Sequence, residues 1–415
     1  MLKNLINKDN SNVVNLLIGR IGTNIADSLF YMVILWYFKS HFHSPILLSL
    51  IFIVDSTIDM FSFTLGPIID RLNIKKLLQV VTIIQAILSL LIIPLFNDPN
   101  LHLFAIIFLI IVYILSTIGS TLIYPAEDKI LPIIVKKENL AKVNGIFQMS
   151  YQTLDLFLDA GATILITYLS IKNTIIISGL IFTFALLFYA RLNFNVQSIS
   201  SDKENSTYLK ALINGWQALQ KEKDILILIL PFAITNLFYG ISSIGLPYFA
   251  TQYLDRSAMS YGGLELASSV GGLLGSIAVQ HFYVKDNKLR LLIVICLILS
   301  GISIILETII APIFPILILL FALFSTFWIS MMNINFRVLV QENFHPNLLG
   351  RINTINSSIV NCMIPIGSFL GGIIVKNLGV LPAIMLEGIA QVITAFFYLI
   401  IFIKIKHKNR GIINE

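Results

Sequence analysis

The sequence predicts an all-α integral membrane protein, with twelve transmembrane helices arranged in two pseudo-symmetric six-helix bundles. Three observations predict it. Of 415 residues, 57% are apolar and only 12% are charged, about half the charged share of a soluble domain. The apolar residues gather in twelve runs, each near the ~20 residues that a helix needs to cross ~30 Å of hydrocarbon. One long polar interval divides those runs six and six. This composition excludes an ordinary water-soluble enzyme, a disordered chain and a nucleic-acid binder, despite a formal net charge of +6.

In order, the runs cover about 13–37, 45–66, 76–95, 102–124, 143–169 and 173–192, then 225–249, 259–283, 289–310, 313–336, 352–375 and 380–403. Only a helix satisfies its own backbone hydrogen bonds within lipid, so each run is expected to be helical. The first bundle is expected to span residues 1–192 and the second, with a short cytoplasmic tail, 225–415. Between them, 193–224 reads as a cytoplasmic linker. Leu209, Leu212, Ile213, Trp216 and Leu219 give its end the spacing of an amphipathic helix lying on the membrane surface.

Basic residues set the orientation. Of 28 Lys and Arg, 24 fall on the side that holds both termini, and only Lys39, Lys172, Arg256 and Lys376 fall on the other. Both termini are therefore expected in the cytoplasm, in a multi-pass protein of the plasma membrane. The excess of bases reports topology, not an anionic partner. Met1 to Ser11 has no small-residue cleavage site, so no removable leader is expected.

The halves echo each other. Asp27-Ser28-Leu29-Phe30-Tyr31 in the first run corresponds to Thr235-Asn236-Leu237-Phe238-Tyr239 in the seventh, 208 residues later. Lys142-Val143-Asn144 corresponds to Arg351-Ile352-Asn353, at an offset of 209. Two matches at nearly one offset suggest parallel six-helix repeats. Cys296 and Cys362 stand alone within apolar runs, and all six histidines lie at or near run ends. Neither a disulfide framework nor a metal site is expected, and no cofactor.

Five acids lie inside the runs: Asp27 in the first, Asp55 and Asp59 in the second, Asp155 and Asp159 in the fifth. Each pair is four apart and shares a helix face. An ionised carboxylate at a helix centre costs about 2.5–3.5 kcal/mol, so these groups must face water, find partners or hold protons. Two roles stay open for them, proton coupling and polar ties between helices.

Between the second and third runs lies Gly66-Pro67-Ile68-Ile69-Asp70-Arg71-Leu72-Asn73-Ile74-Lys75-Lys76. It resembles the cytoplasmic signature of the major facilitator superfamily, G-x-x-x-D-R-x-G-R-K. Gly66, Asp70, Arg71 and Lys75 take its conserved roles, as the small residue of a helix approach, the pairing carboxylate and the bases. Asn73 replaces the second glycine and is expected to tolerate a left-handed turn. Pro125-Ala126, Leu131-Pro132, Glu138 and Asn144, with Gly367-Ser368-Phe369-Leu370-Gly371-Gly372, resemble the branch of macrolide-efflux and siderophore-export proteins. The fourth run lacks the arginine that drug antiporters of the superfamily often carry there.

The resemblance implies that helices 1, 4, 7 and 10 line a central cavity. Tyr31, Asn236, Tyr239, Glu265 and Asn333 are then candidates to face substrate. It implies a monomeric carrier that exports a small amphipathic, neutral or cationic compound in exchange for protons. A siderophore or metabolite exporter and a proton-coupled nutrient importer are the alternatives. Glu127 reads as solvated or paired with Lys129, and Glu307 and Glu387 as near the outer ends of their helices.

Overall fold

A computed structural model describes residues 11–61, 72–97, 103–135, 137–193, 217, 220, 223–281, 287–343 and 359–413. Among these residues there are twelve α-helices and no strand. They are α1 (Ser11–Tyr37), α2 (Pro45–Phe61), α3 (Ile74–Leu91), α4 (Leu103–Ile134), α5 (Lys137–Leu169) and α6 (Ile171–Arg191). In the second half they are α7 (Lys223–Tyr253), α8 (Ala258–His281), α9 (Asn287–Ile310), α10 (Leu317–Asn343), α11 (Ile364–Leu378) and α12 (Val380–Ile413). Each predicted run corresponds to one helix. Nine of the described helices are long and apolar enough to cross a membrane. Of the other three, α2 has 17 described residues, and among its described residues α5 has an apolar stretch at Phe157–Leu169.

Several helices outrun their apolar cores. α4 continues through Pro125 and Pro132 to Ile134, where the fourth run was expected to end at 124. α5 already begins at Lys137. A proline removes one ladder bond, and neighbouring helices and side chains can supply substitutes. Asn73 also departs from expectation. Its backbone is extended (φ −68°, ψ 109°), and its side chain caps α3 by accepting from the Lys76 N–H at 3.1 Å. An N-cap oxygen, not left-handed tolerance, is what asparagine supplies there.

The chain divides into two compact units, residues 1–43 with 57–207, and residues 44–56 with 208–415. Within the first, α1 packs on α5 and α6, and α3 on α4 and α6. Within the second, α7 packs on α11 and α12, and α9 on α10 and α12. Adding six to each of these helix numbers converts one set of pairs into the other, as a repeat would, although α8 also packs closely on α10 with no comparable α2–α4 contact among the described residues. Val13, Leu16, Leu78, Ile130, Phe147 and Tyr189 belong to the core of the first unit. Phe232, Leu297, Met331, Phe336 and Tyr398 belong to that of the second.

Outside these cores the surface is greasy. Phe104 is 78% exposed, Leu180 61% and Ile393 62%, a pattern that water would penalise and lipid accepts. Lipid gives helices no hydrophobic reason to associate, so close backbone approach matters more. A Cβ on Gly367 of α11 would lie 2.0 Å from the Leu237 carbonyl oxygen of α7, and one on Gly240 of α7 2.5 Å from that of Ile364. These two helices touch backbone to backbone.

Candidate functional site

The polar residues of α1 recur at Arg20, Thr23 and Asp27, a spacing that puts them on one helical face. At Asp27 three helices meet. The Ser120 hydroxyl of α4 lies 2.6 Å from Asp27 Oδ1. Gln85 Nε2 of α3 reaches the same oxygen at 3.4 Å and the Ser120 hydroxyl at 3.0 Å. The next residue of α1, Ser28, donates to Asp159 Oδ1 of α5 at 3.2 Å. Two of the five predicted acids are thus anchored at consecutive positions of one helix. Neutral donors hold both, and among the described residues no cation lies within ion-pair distance of either.

Two turns along the same face, Arg20 is spoken for. Its Nε lies 3.4 Å from Glu127 Oε2 of α4, with the two side chains 7% and 0% exposed. The Tyr189 hydroxyl of α6 donates to Glu127 Oε1 at 2.7 Å and lies 3.3 Å from the Thr23 hydroxyl. Phe147 of α5 covers the guanidinium, 5.7 Å from its ring centre. Glu127 is therefore buried, and Arg20 of α1 pairs with it. Gly19 makes room: a Cβ there would sit 2.4 Å from the Tyr189 ring.

The remaining candidates are placed as follows. Asp55 is partly buried and Asp59 exposed on α2. They fall on either side of the boundary between units, which lies between Ser56 and Thr57. Asp155 lies on α5, its side chain outside the described set, and Gly66, Asp70 and Arg71 lie outside the described residues altogether. Lys75 donates to the Leu192 carbonyl at the end of α6. Tyr31 of α1 stacks obliquely on Tyr113 of α4, with ring centres 6.4 Å apart.

In the second unit, Asn236 of α7 donates to the Val360 carbonyl at 3.0 Å and to Asn361 Oδ1 at 3.3 Å. Tyr239 of α7 is 48% exposed and Glu265 of α8 partly buried. Asn333 is exposed on α10. Among the described residues no group of His, Cys, Asp and Glu could hold a metal ion.

Sequence reasoning missed Gln85 and Ser120 as partners of Asp27. Gln85 was the available signal, one of two amides in an otherwise apolar run. It also missed Tyr189, because nothing local marks which face of a uniformly apolar helix turns inward.

Known proteins agree with this architecture. The family described as Major Facilitator Superfamily matches residues 16–367. Macrolide efflux protein A of Streptococcus pyogenes is 23% identical over 383 residues, covering 89% of this chain and 91% of the relative. Macrolide efflux protein A of Enterococcus faecalis is 23% identical over 320 residues, covering 74% and 94%. Among solved structures, the nucleoside transporter NupG superposes with a TM-score of 0.71 at 12% identity, covering 95% of this chain and 100% of that one. A bacterial homologue of the human lysosomal transporter Spinster, inward-facing and unoccupied, does so with a TM-score of 0.71 at 13% identity, covering 96% and 97%. At such identities the structural matches speak for the fold alone.

Proposed function

The chain belongs to the major facilitator superfamily, a multi-pass membrane transporter rather than an enzyme, and on that premise we propose that it exports a small amphipathic compound by proton antiport. The substrate class is neutral or cationic and macrolide-like. The protein sits in the plasma membrane with both termini in the cytoplasm, works as a monomer, and moves its cargo by alternating access. The similarity to macrolide efflux proteins along 89% of the chain supports the export direction and the drug class.

The observation that carries the coupling is the pair of acids on α1 and α5. Asp27 and Asp159 are held by serine hydroxyls, while the nearby Arg20 is neutralised by Glu127. A carboxylate held by neutral donors alone can exchange its charge for a proton without breaking an ion pair. A cationic substrate and a proton then compete for one acidic place. An inward-moving proton supplies about 2.3 kcal/mol per 100 mV, which drives the substrate outward.

The test is accumulation of a radiolabelled macrolide in cells that produce or lack the protein. Producing cells should hold less than controls when energised, and a protonophore should erase the difference. Producing cells that hold more when energised would mean import and overturn the reading.

A further inference from the structure

Gln85 of α3 is a buried amide with a surplus of acceptors around it. The residue is 1% exposed, and its side chain lies against bare backbone of α4: a Cβ on Gly119 would sit 3.5 Å from Gln85 Cδ. Its Nε2 is 3.0 Å from the Ser120 hydroxyl, 3.3 Å from the Ser116 carbonyl oxygen and 3.4 Å from Asp27 Oδ1. Two hydrogens face three acceptors. Its Oε1 is buried and has no donor among the described residues, which is costly for an amide inside an apolar bundle.

Ser120 is divided in a similar way. Its single hydrogen has two acceptors, Asp27 Oδ1 at 2.6 Å and the Ser116 carbonyl, one turn back in α4, at 3.1 Å. With Asp27 charged, hydrogens run toward the acid: Gln85 donates to Ser120, and Ser120 donates to the carboxylate. With one proton taken from water onto Asp27 Oδ1, the chain can run the other way. The carboxyl donates to Ser120 Oγ, and the serine hydrogen turns to the Ser116 carbonyl, or to Gln85 Oε1 once the amide reverses. The two ends of an amide are nearly alike in shape, so the oxygen that lacks a donor in the charged arrangement gains one in the other. Serine and glutamine both donate and accept, and no hydrogen other than the added proton has to leave its residue.

The charges nearby are engaged or distant. Arg20 is the only other charge of α1, and it pairs with Glu127 of α4, which Tyr189 of α6 also bonds. Asp128 and Lys129 lie beyond Glu127 on α4. α3 carries its only charges, Lys75 and Lys76, in its first turn, and α6 carries Lys172 and Arg191 at its ends. On α5, Asp159 takes the Ser28 hydroxyl, and Asp155 lies one turn from it.

We propose that Gln85 and Ser120 are positioning residues for the proton step, a reversible hydrogen-bond chain that holds Asp27 in both its charged and its protonated form. Their part in transport rests on the antiport reading, whereas their effect on Asp27 does not depend on any cargo. Hydrogen bonds to an ionised carboxyl are roughly twice as strong as those to a neutral one. Loss of either residue therefore weakens the charged form more, and Asp27 keeps its proton to higher pH.

The test is labelling of the full chain in lipid vesicles, without substrate, by dicyclohexylcarbodiimide, which reacts with protonated carboxyls. The tryptic peptide 21–39 holds Asp27 and no other acid, so its adduct, measured by mass spectrometry across a pH series, reports that residue alone. Ser120→Ala and Gln85→Leu should each move the midpoint of labelling about one pH unit higher, and Ser120→Thr, which keeps the hydroxyl, should stay near wild type. Ser89→Ala is the control, because Ser89 is as deeply buried and bonds only the Gln85 backbone carbonyl, at 2.8 Å. Its loss should leave the midpoint in place. A wild-type midpoint in both Ser120→Ala and Gln85→Leu, or an equal shift in Ser89→Ala, overturns the proposal, as does a wild-type protein whose Asp27 is labelled at no pH. A failed macrolide assay with the shifts intact would overturn the export reading alone.

Discussion

Arg20 and Glu127 form a buried ion pair 3.4 Å long between α1 and α4, and Tyr189 completes it from α6 by donating to the carboxylate at 2.7 Å. A buried pair need not stabilise a fold relative to apolar residues, but breaking it strands a charge, at about 3–5 kcal/mol. Glu127→Gln is therefore expected to lower the thermal midpoint in detergent sharply. Arg20→Met/Glu127→Gln, which removes both charges, should recover most of the loss. A double variant as unstable as the single one would mean that the pair itself holds the unit together.

Backbone contact between α7 and α11 makes a second prediction. Gly367→Ala places a methyl 2.0 Å from the Leu237 carbonyl oxygen, an overpacking expected to cost about 1–3 kcal/mol. Gly272→Ala on α8 meets nothing within 4 Å and should be neutral or mildly stabilising, since alanine is the better helix former. Thermal unfolding of the two variants side by side checks this.

Orientation is tested by labelling. The turn between α7 and α8 is closed by Asp255, whose carboxylate accepts from the Ser257 hydroxyl at 2.5 Å and its N–H at 3.3 Å. Those bonds hold its pKa below the usual carboxylate range, as suits a turn in water. With Cys296 and Cys362 replaced by alanine, Arg256→Cys should react with an impermeant maleimide on intact cells. Lys408→Cys should react only after permeabilisation.

Much of this was legible in the sequence, for reasons that particular residues make clear. Every apolar run became a helix because hydrocarbon leaves the backbone no alternative. Asp27 and Asp159 stood out because charge within such a run is expensive. What the sequence could not show was partnership. Glu127 has Lys129 two positions away, yet its partner is Arg20 on another helix. Glu307 sits three residues from the end of α9 and is nevertheless 4% exposed. The fourth apolar run ends near 124, but α4 runs on through Pro125. For Glu127 the deciding contact comes from a helix distant in sequence, and a uniformly apolar surface carries no periodic signal of which face meets it.

The central claim is that Asp27, hydrogen-bonded to Ser120 at 2.6 Å, carries the proton that drives transport. Its most direct test is uptake of a radiolabelled macrolide into inverted membrane vesicles under an imposed proton gradient, with substrate counterflow measured in the same preparation. Asp27→Asn should abolish gradient-driven uptake while counterflow continues, because binding and alternation survive when only the proton's place is lost. Gradient-driven uptake by Asp27→Asn at the wild-type rate would contradict the account.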